Sequence, residues 1–165
     1  MRFILLSFFL VVQTARADIP DFFQPLVVKP PFSFSDRIVD LTPAFEKAKR
    51  LNKPMLVYLG ADDCPPCKAY SVFLERHKEE MRPSFAKVVV VDIRTWLKGP
   101  ALTFQIYDKK YNVAEFKARV GDANKRLFYP TWWLLTPEGT QLRQLPQGSS
   151  NFTSVENHIR LLEGS

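Results

Sequence analysis

The chain has 165 residues, which is enough for one ordinary domain with a buried core. Apolar residues make up 46% of it, and its formal net charge is +6. Lys and Arg are scattered along the chain, usually with Asp or Glu nearby. This distribution is typical of a solvated surface and argues against a nucleic-acid-binding or membrane-binding patch.

The first 17 residues have the organisation of a signal peptide. Arg2 precedes an apolar run from Phe3 to Val12, and Ala15-Arg16-Ala17 has the small-x-small pattern at which signal peptidase cleaves. The run is shorter than the roughly 20 apolar residues that a membrane anchor needs. A buried N-terminal strand or helix is the alternative interpretation. We expect export, a mature chain that begins at Asp18, and a periplasmic location if the host is a Gram-negative bacterium.

A proline-rich segment and then a predicted helix follow the first 17 residues. Residues 18–39 contain four prolines and predict an extended lead-in. The domain itself is expected to occupy residues 40–165. Asp40 to Arg50 predicts a helix that Thr42 caps and whose first turn contains Pro43.

A strand, a helix and a second strand are predicted next. Met55 to Leu59 is a short apolar run that predicts a buried strand. The chain from Cys64 to Arg82 has no glycine and predicts a helix that ends at Pro83. Lys87 to Ile93 contains four consecutive valines, which is typical of a strand inside a parallel sheet. This order forms a βαβ unit, with the cysteines at its first strand-to-helix turn.

The second half of the chain is less regular, and the pattern does not determine the form of residues 96–111. Gly121 and the Thr136–Gly139 turn are the clearest boundaries that follow. Thr153 and Glu156 have the spacing of a capping box. These signals predict a helix, a β-hairpin and a last helix, over residues 112–120, 131–143 and 154–162.

Cys64 and Cys67 are the only cysteines and lie three residues apart. A disulfide stabilises a fold mainly by closing a long loop, and this pair closes almost none, so reversible chemistry suits it better than cross-linking. A helix start supplies free N–H groups and a positive dipole end, which favour a thiolate. We expect Cys64 to be the exposed attacking thiol and Cys67, one turn further, to be the shielded resolving thiol.

A metal site is the alternative interpretation of the two cysteines, and the sequence offers few residues that could complete one. Half of a zinc site would have the same Cys-x-x-Cys spacing. The further ligands would have to be His77 and His158, which we interpret as ordinary surface or edge residues, so neither a metal site nor a cofactor is predicted. Pro65 and Pro66 have no amide hydrogen and therefore donate no hydrogen bond to a thiolate.

Three segments resemble the thioredoxin superfamily in matching order: KPMLVYLGADDCPPCKAY, KVVVVDI and YPTWWLLTPEGTQL. The resemblance covers about Leu41 to Ser165 and implies an α/β thioredoxin fold, with a central mixed sheet flanked by helices. It also implies that Pro130 is a cis-proline that faces the cysteine pair and opens a strand. The backbone of Tyr129 would then meet an extended substrate segment.

The chain departs from the family around the cysteines and before Pro130. Tyr58 stands where typical thioredoxins bury an acid near the second cysteine. Asp62 and Asp63 are candidate proton-transfer residues in its place, and capping of the helix is the alternative role for at least one of them. Residues 94–128 contain an apparent insertion before the cis-proline strand.

These inferences define three groups of candidate site residues. The group implied to be catalytic comprises Cys64, Cys67 and Pro130. The candidate substrate-binding residues are Tyr129, Pro65 and Pro66. The candidate proton-transfer residues are Asp63 and Asp62.

The resemblance implies thiol–disulfide exchange with partner proteins. We favour reduction of disulfides in exported proteins, because Asp62 and Asp63 oppose a thiolate on Cys64 and so favour a reducing pair. A disulfide oxidase or isomerase is the second hypothesis. The third is a binding or chaperone module that uses Trp132, Trp133 and the insertion as its surface. The expected partners are protein disulfide or dithiol substrates and a redox partner protein. No nucleic acid and no membrane span after cleavage are expected, and the chain is expected to be a monomer.

Overall fold

A computed structural model describes residues 17–31, 33, 35–148 and 154–164. Within these ranges the fold is mixed α/β, with five α-helices and two mixed β-sheets. The strands are β1 (Leu26–Val28), β2 (Arg37–Asp40), β3 (Met55–Ala61), β4 (Val89–Thr95), β5 (Leu102–Ile106), β6 (Lys109–Asn112), β7 (Thr131–Leu135) and β8 (Gln141–Arg143). The helices are α1 (Thr42–Leu51), α2 (Pro65–Arg76), α3 (Lys78–Phe85), α4 (Val113–Val120) and α5 (Val155–Glu163). The predicted signal peptide lies outside the described residues except for Ala17.

The larger sheet has five strands in the order β1-β4-β3-β7-β8. β4 pairs in parallel with both β1 and β3, and its residues from Val89 to Ile93 are all buried, as the run of valines predicts. β3 pairs antiparallel with β7, which continues into β8. The predicted β-hairpin is thereby confirmed, with its turn at residues 136–139.

The smaller sheet has three strands in the order β2-β5-β6. The segment whose form the pattern did not determine contains the β5–β6 hairpin. β5 also pairs in parallel with β2, so the smaller sheet joins chain segments from before and after the βαβ unit.

Residues 18–39 differ from the extended lead-in that the sequence predicts. They contain the whole of β1, which forms an edge of the larger sheet, and all of β2 except its last residue, Asp40. Pro25 and Pro30 bracket β1, and prolines are tolerated at the edge of a sheet because the missing N–H is not needed there. A short 3-10 turn, Asp21–Phe23, precedes β1 and packs on α3 through the rings of Phe23 and Phe85.

The larger sheet separates two hydrophobic cores. β3 supplies both, because successive side chains of a strand point to opposite faces. Met55, Val57 and Leu59 enter the core beneath α1, α4 and the smaller sheet. Leu56 and Tyr58 enter the core formed with α2, α3 and α5. β3 is therefore held from both sides, and its C-terminal end is the rigid support of the cysteine turn.

Two of the predicted helices differ in detail from the expectation. The helix predicted from Cys64 to Arg82 is two helices, which meet at His77, and Pro83 lies inside α3 instead of ending it. The local pattern carries no sign of this break, since no glycine or proline stands at it. α3 packs against the 3-10 turn and against α5, and both of these partners are distant from it in the sequence.

The helix caps are also partly different from those predicted. Thr42 is not a cap, because its Oγ1 accepts the backbone N–H of Tyr107 (2.7 Å), while the carboxylate of Asp40 accepts the N–H of Thr42 (2.9 Å). α4 ends at Gly121, as predicted, and it begins with a capping box at Asn112, which was not predicted. The N-cap of α5 is Ser154, and the predicted cap Thr153 lies outside the described residues.

Candidate active site

The turn between β3 and α2 carries both cysteines. The carbonyl oxygen of Ala61 accepts the backbone N–H of Cys64 at 3.1 Å. Cys64 is the N-cap of α2, and its Sγ accepts the backbone N–H of Cys67 at 3.3 Å. The capping role that we considered for Asp62 or Asp63 therefore belongs to a cysteine sulfur. Pro65 and Pro66 fill the first turn, where a missing N–H leaves no intrahelical hydrogen bond unmade.

Cys64 and Cys67 are joined by a disulfide bond, with Cα atoms 5.3 Å apart. Both residues are buried, with exposed fractions of 2% and 0%. Ala17, Ala61 and the partly buried Tyr129 pack around them. The expectation of an exposed Cys64 is therefore wrong for this disulfide form, because segments distant in the sequence cover it.

The segment before β7 contains Pro130 and brings Tyr129 to the cysteines. The Tyr129–Pro130 peptide bond is cis, as the resemblance implies. Pro130 is buried, and its carbonyl oxygen accepts the backbone N–H of Gly148 (2.9 Å). The pKa of Tyr129 is raised, mainly because the residue is largely buried. The positive charge of Arg37 opposes this shift, and the carboxylate of Asp63 adds to it. The structure thus brings Tyr129 and the cysteine pair together.

A buried polar cluster supports the loop that leads to Tyr129. The carboxylate of Asp122 accepts hydrogen bonds from Trp133 Nε1 (2.9 Å) and from Gln144 Nε2 (3.0 Å). Lys117 Nζ lies 3.8 Å from Asp122 and donates to the carbonyl oxygens of Asn124 and Arg126. Burial alone would raise the pKa of the Asp122 carboxyl, but these donors and the backbone N–H of Asn124 hold it below its usual value. We name Asp122, Lys117 and their partners the Asp122 cluster.

Asp62 and Asp63, the candidate proton-transfer residues, are both exposed. Asp63 Oδ1 accepts the backbone N–H of Leu97 at 2.7 Å, and the backbone N–H of Asp62 is bonded to the carbonyl oxygen of Thr95. These bonds tie the cysteine turn to the end of β4. Asp63 thus holds the loop that begins with the exposed residues Trp96 and Leu97.

β4 also carries Asp92, a buried carboxylate that the sequence patterns did not single out. It is the cross-strand neighbour of Tyr58. Its Oδ2 accepts hydrogen bonds from Arg94 Nε (2.8 Å) and from the backbone N–H of Ile19 (3.2 Å). Burial raises the pKa of Asp92 to about 6, although the hydrogen bond and charge of Arg94 lower it. The available signal was a single aspartate directly after four valines, in a strand that is buried on both faces.

His158, Trp132 and Trp133 are buried, contrary to the sequence-based expectations. His158 is a core residue on α5, and its Nε2 lies 3.0 Å from the hydroxyl of Tyr70. Burial lowers the pKa of His158 to about 4, so the ring is neutral at pH 7. Trp132 and Trp133 are buried in opposite cores and cannot form the surface of a binding module. His77 is partly exposed and bonded to Glu80.

Neither the described residues nor comparisons with known proteins assign this chain to a family. Over the described ranges, no three or more His, Cys, Asp and Glu side chains are grouped so that they could hold a metal ion. In the same residues, no helix has the length and apolar character to span a membrane. No model of a known protein family matches the chain. A search of curated proteins likewise gives no match.

Proposed function

We propose that this chain is an exported thiol–disulfide oxidoreductase of the thioredoxin type that reduces disulfides in extracytoplasmic proteins. The observation that carries the proposal is the Cys64–Cys67 disulfide at the start of α2, with the sulfur of Cys64 in the N-cap position. A sulfur in that position accepts backbone N–H groups at the positive end of the helix dipole, which is a known way of stabilising a thiolate.

The architecture supports a thioredoxin-type fold. The βαβ unit of β3, α2 and β4 presents the cysteines at the C-terminal end of a central strand, and β7 and β8 follow a cis-proline. In this interpretation β5, β6 and α4 constitute the insertion, and they cover one face of the larger sheet. Signal-peptide cleavage after Ala17 would release the chain in a compartment where disulfides form.

The reaction is a pair of exchange steps. The Cys64 thiolate attacks a substrate disulfide, which forms a mixed disulfide and releases one substrate thiolate. Cys67 then loses its proton and attacks Cys64 Sγ, which closes the internal disulfide and releases the second substrate thiol. Asp62 and Asp63 are the proposed proton-transfer residues. The substrate gains two electrons and two protons, and a dithiol of a redox partner protein must return them to this chain.

The direction of electron flow depends on how well the reduced form is stabilised. The N–H of Cys67 and the helix dipole stabilise a thiolate on Cys64 and therefore favour an oxidising pair. The negative charges of Asp62 and Asp63 oppose a thiolate and favour a reducing pair. Because two carboxylates stand directly before Cys64, we favour the reductase. A disulfide oxidase or isomerase remains the second candidate, and the capping hydrogen bond is the observation in its favour.

Trapping of mixed disulfides tests the proposal and the two cysteine roles. Cys67→Ser should accumulate mixed disulfides with partner proteins, seen as larger species on non-reducing gels that a reductant removes, because the resolving thiol is missing. Cys64→Ser should trap few, and the double serine variant is the matched control. Equal trapping by both single variants would contradict the assignment of roles, and no trapping by Cys67→Ser would contradict the proposed exchange.

A further inference from the structure

Residues 17–19 lie across the cysteine site, and we name them the strap. Ala17 is buried against Cys64 and Cys67. The strap belongs to the N-terminal segment, 45 or more residues before the cysteines in the chain. No other role described above uses it.

The strap is held in place by polar contacts on both sides of the Ala17–Asp18 peptide bond. On one side, the hydroxyl of Tyr58 donates to the carbonyl oxygen of Ala17 (3.3 Å). On the other side, Asp18 Oδ2 pairs with Arg94 Nη1 (3.0 Å), and the backbone N–H of Ile19 donates to Asp92 Oδ2 (3.2 Å). The side chain of Ile19 is buried in the core beside Tyr58 and α2.

The surface beneath the strap leaves room for its backbone. Gly60 lies under the Ala17 carbonyl, and a Cβ atom at that position would come within 2.9 Å of the Ala17 oxygen and 2.8 Å of the Tyr58 hydroxyl. Any side chain at residue 60 would displace the strap or the Tyr58 ring. Gly60 therefore fits the strap closely.

The strap bears directly on the reactivity of the disulfide. A thiolate must approach one sulfur in order to exchange with it, and Cys64 is only 2% exposed with Ala17 in contact. We propose that the strap is an autoinhibitory cover, and that cleavage between Ala17 and Asp18 removes the covering residue while leaving the Asp18 and Ile19 anchors. This proposal rests on the proposed function and concerns the regulation of the same disulfide. It makes the full reactivity of the pair a property of the processed chain.

The arrangement of contacts explains why the position of cleavage matters. The sequence predicts cleavage at the Ala17–Asp18 bond, and the residue that packs on the cysteines is the last one removed. The anchors that remain bind Arg94 and Asp92 of β4, so the new N-terminus stays beside the site. Cleavage thus removes the part of the cover that Ala17 supplies, beside Ala61 and Tyr129, without releasing the segment that follows.

The test compares the full chain before and after processing. The full-length chain would be synthesised in a cell-free system without signal peptidase, held in mild detergent, and oxidised. The rate constant for reduction of its disulfide by dithiothreitol would then be compared with that of a chain that is made from Asp18 onward and oxidised in the same way, which is the product that cleavage leaves. We expect cleavage to raise the rate at least about tenfold, which corresponds to a cover that is open no more than roughly a tenth of the time. An unchanged rate would overturn the proposal.

A second comparison separates the strap from the bulk of residues 1–16. In the uncleaved chain, Asp18→Ala removes the Arg94 anchor and should raise the rate, while Asp108→Ala, an exposed aspartate in the β5–β6 turn, should leave it unchanged. Equal rates for Asp18→Ala and wild type would also contradict the proposal. Dithiothreitol is a small reductant, so these outcomes do not depend on whether partner proteins are trapped by Cys67→Ser.

Discussion

Asp122→Ala is expected to lower the free energy of unfolding by about 3–5 kcal/mol, because it leaves a buried ammonium group without its counter-charge. The side chain of Lys117 is 7% exposed and that of Asp122 is fully buried. The substitution also removes the acceptor of Trp133 Nε1, a donor inside the core. Chemical denaturation at pH 7, monitored by tryptophan fluorescence, would measure the change.

Asp122→Asn is the matched control for this prediction. Asparagine keeps a side-chain oxygen that can accept the hydrogen bond of Trp133 Nε1 but removes the charge that faces Lys117. We expect its loss to be smaller, about 2–3 kcal/mol, because the acceptor of Trp133 Nε1 is kept while the buried ammonium of Lys117 still lacks its counter-charge. If Asp122→Ala costs less than about 1 kcal/mol, which is the range of ordinary surface substitutions, the Asp122 cluster does not support the loop before Tyr129 as described.

Arg94→Ala is expected to destabilise the fold by about 3 kcal/mol or more at pH 8, and by clearly less at pH 5. The reason is Asp92, whose pKa burial raises to about 6 even with Arg94 bonded to it. Removal of the guanidinium raises this pKa further, so an ionised Asp92 becomes more costly to bury. At pH 5 the carboxyl is mostly protonated in the folded state, and the loss of its counter-charge matters less.

The direction of this pH dependence follows from proton linkage. A carboxyl whose pKa is higher in the folded than in the unfolded state contributes stability at low pH, and that stability is lost as the pH rises through about 6. Free energies of unfolding at pH 5, 6, 7 and 8 for wild type and Arg94→Ala would show a difference that grows with pH. In an Asp92→Asn background the same comparison should show a difference independent of pH over this range. A larger effect of Arg94→Ala at pH 5 than at pH 8 would contradict the account.

The central part of the fold was predictable because its signals are local and strong. Apolar runs and their boundaries predict β3, β4 and the β7–β8 hairpin, and the structure contains all three. The pattern of residues 112–120 and the glycine at position 121 likewise predict α4. These elements place the cysteine turn at the end of β3.

The smaller sheet could not be predicted in the same way. Its strands are short, and β2 and β5 are separated by the whole βαβ unit, so nothing near either strand in the sequence indicates that these two strands pair. β1 is likewise only three residues long and pairs with a strand far along the chain. Such strands are stabilised by a partner that is distant in the sequence, so their own residues do not predict them.

The candidate site was likewise predictable only where its signals are local in the sequence. The Cys64-to-Cys67 spacing and Pro130 stand out in the sequence, whereas the cover by Ala17 and the pairing of Asp92 with Arg94 depend on contacts between distant segments. His158 was misjudged as a surface residue although Val155, His158 and Leu162 share one helical face. A polar residue on an apolar face can be buried when a partner such as Tyr70 lies opposite.

The reduction potential of the Cys64–Cys67 pair is the most direct test of the claim that this chain is a disulfide reductase. Equilibration of the processed protein with a series of glutathione or reference dithiol buffers, followed by quantification of the free thiols, would measure it. We predict a value near the reducing potential of thioredoxin, about −270 mV, because Asp62 and Asp63 stand directly before Cys64. A value near the oxidising potential of DsbA, about −120 mV, would contradict the reductase and favour the oxidase or isomerase.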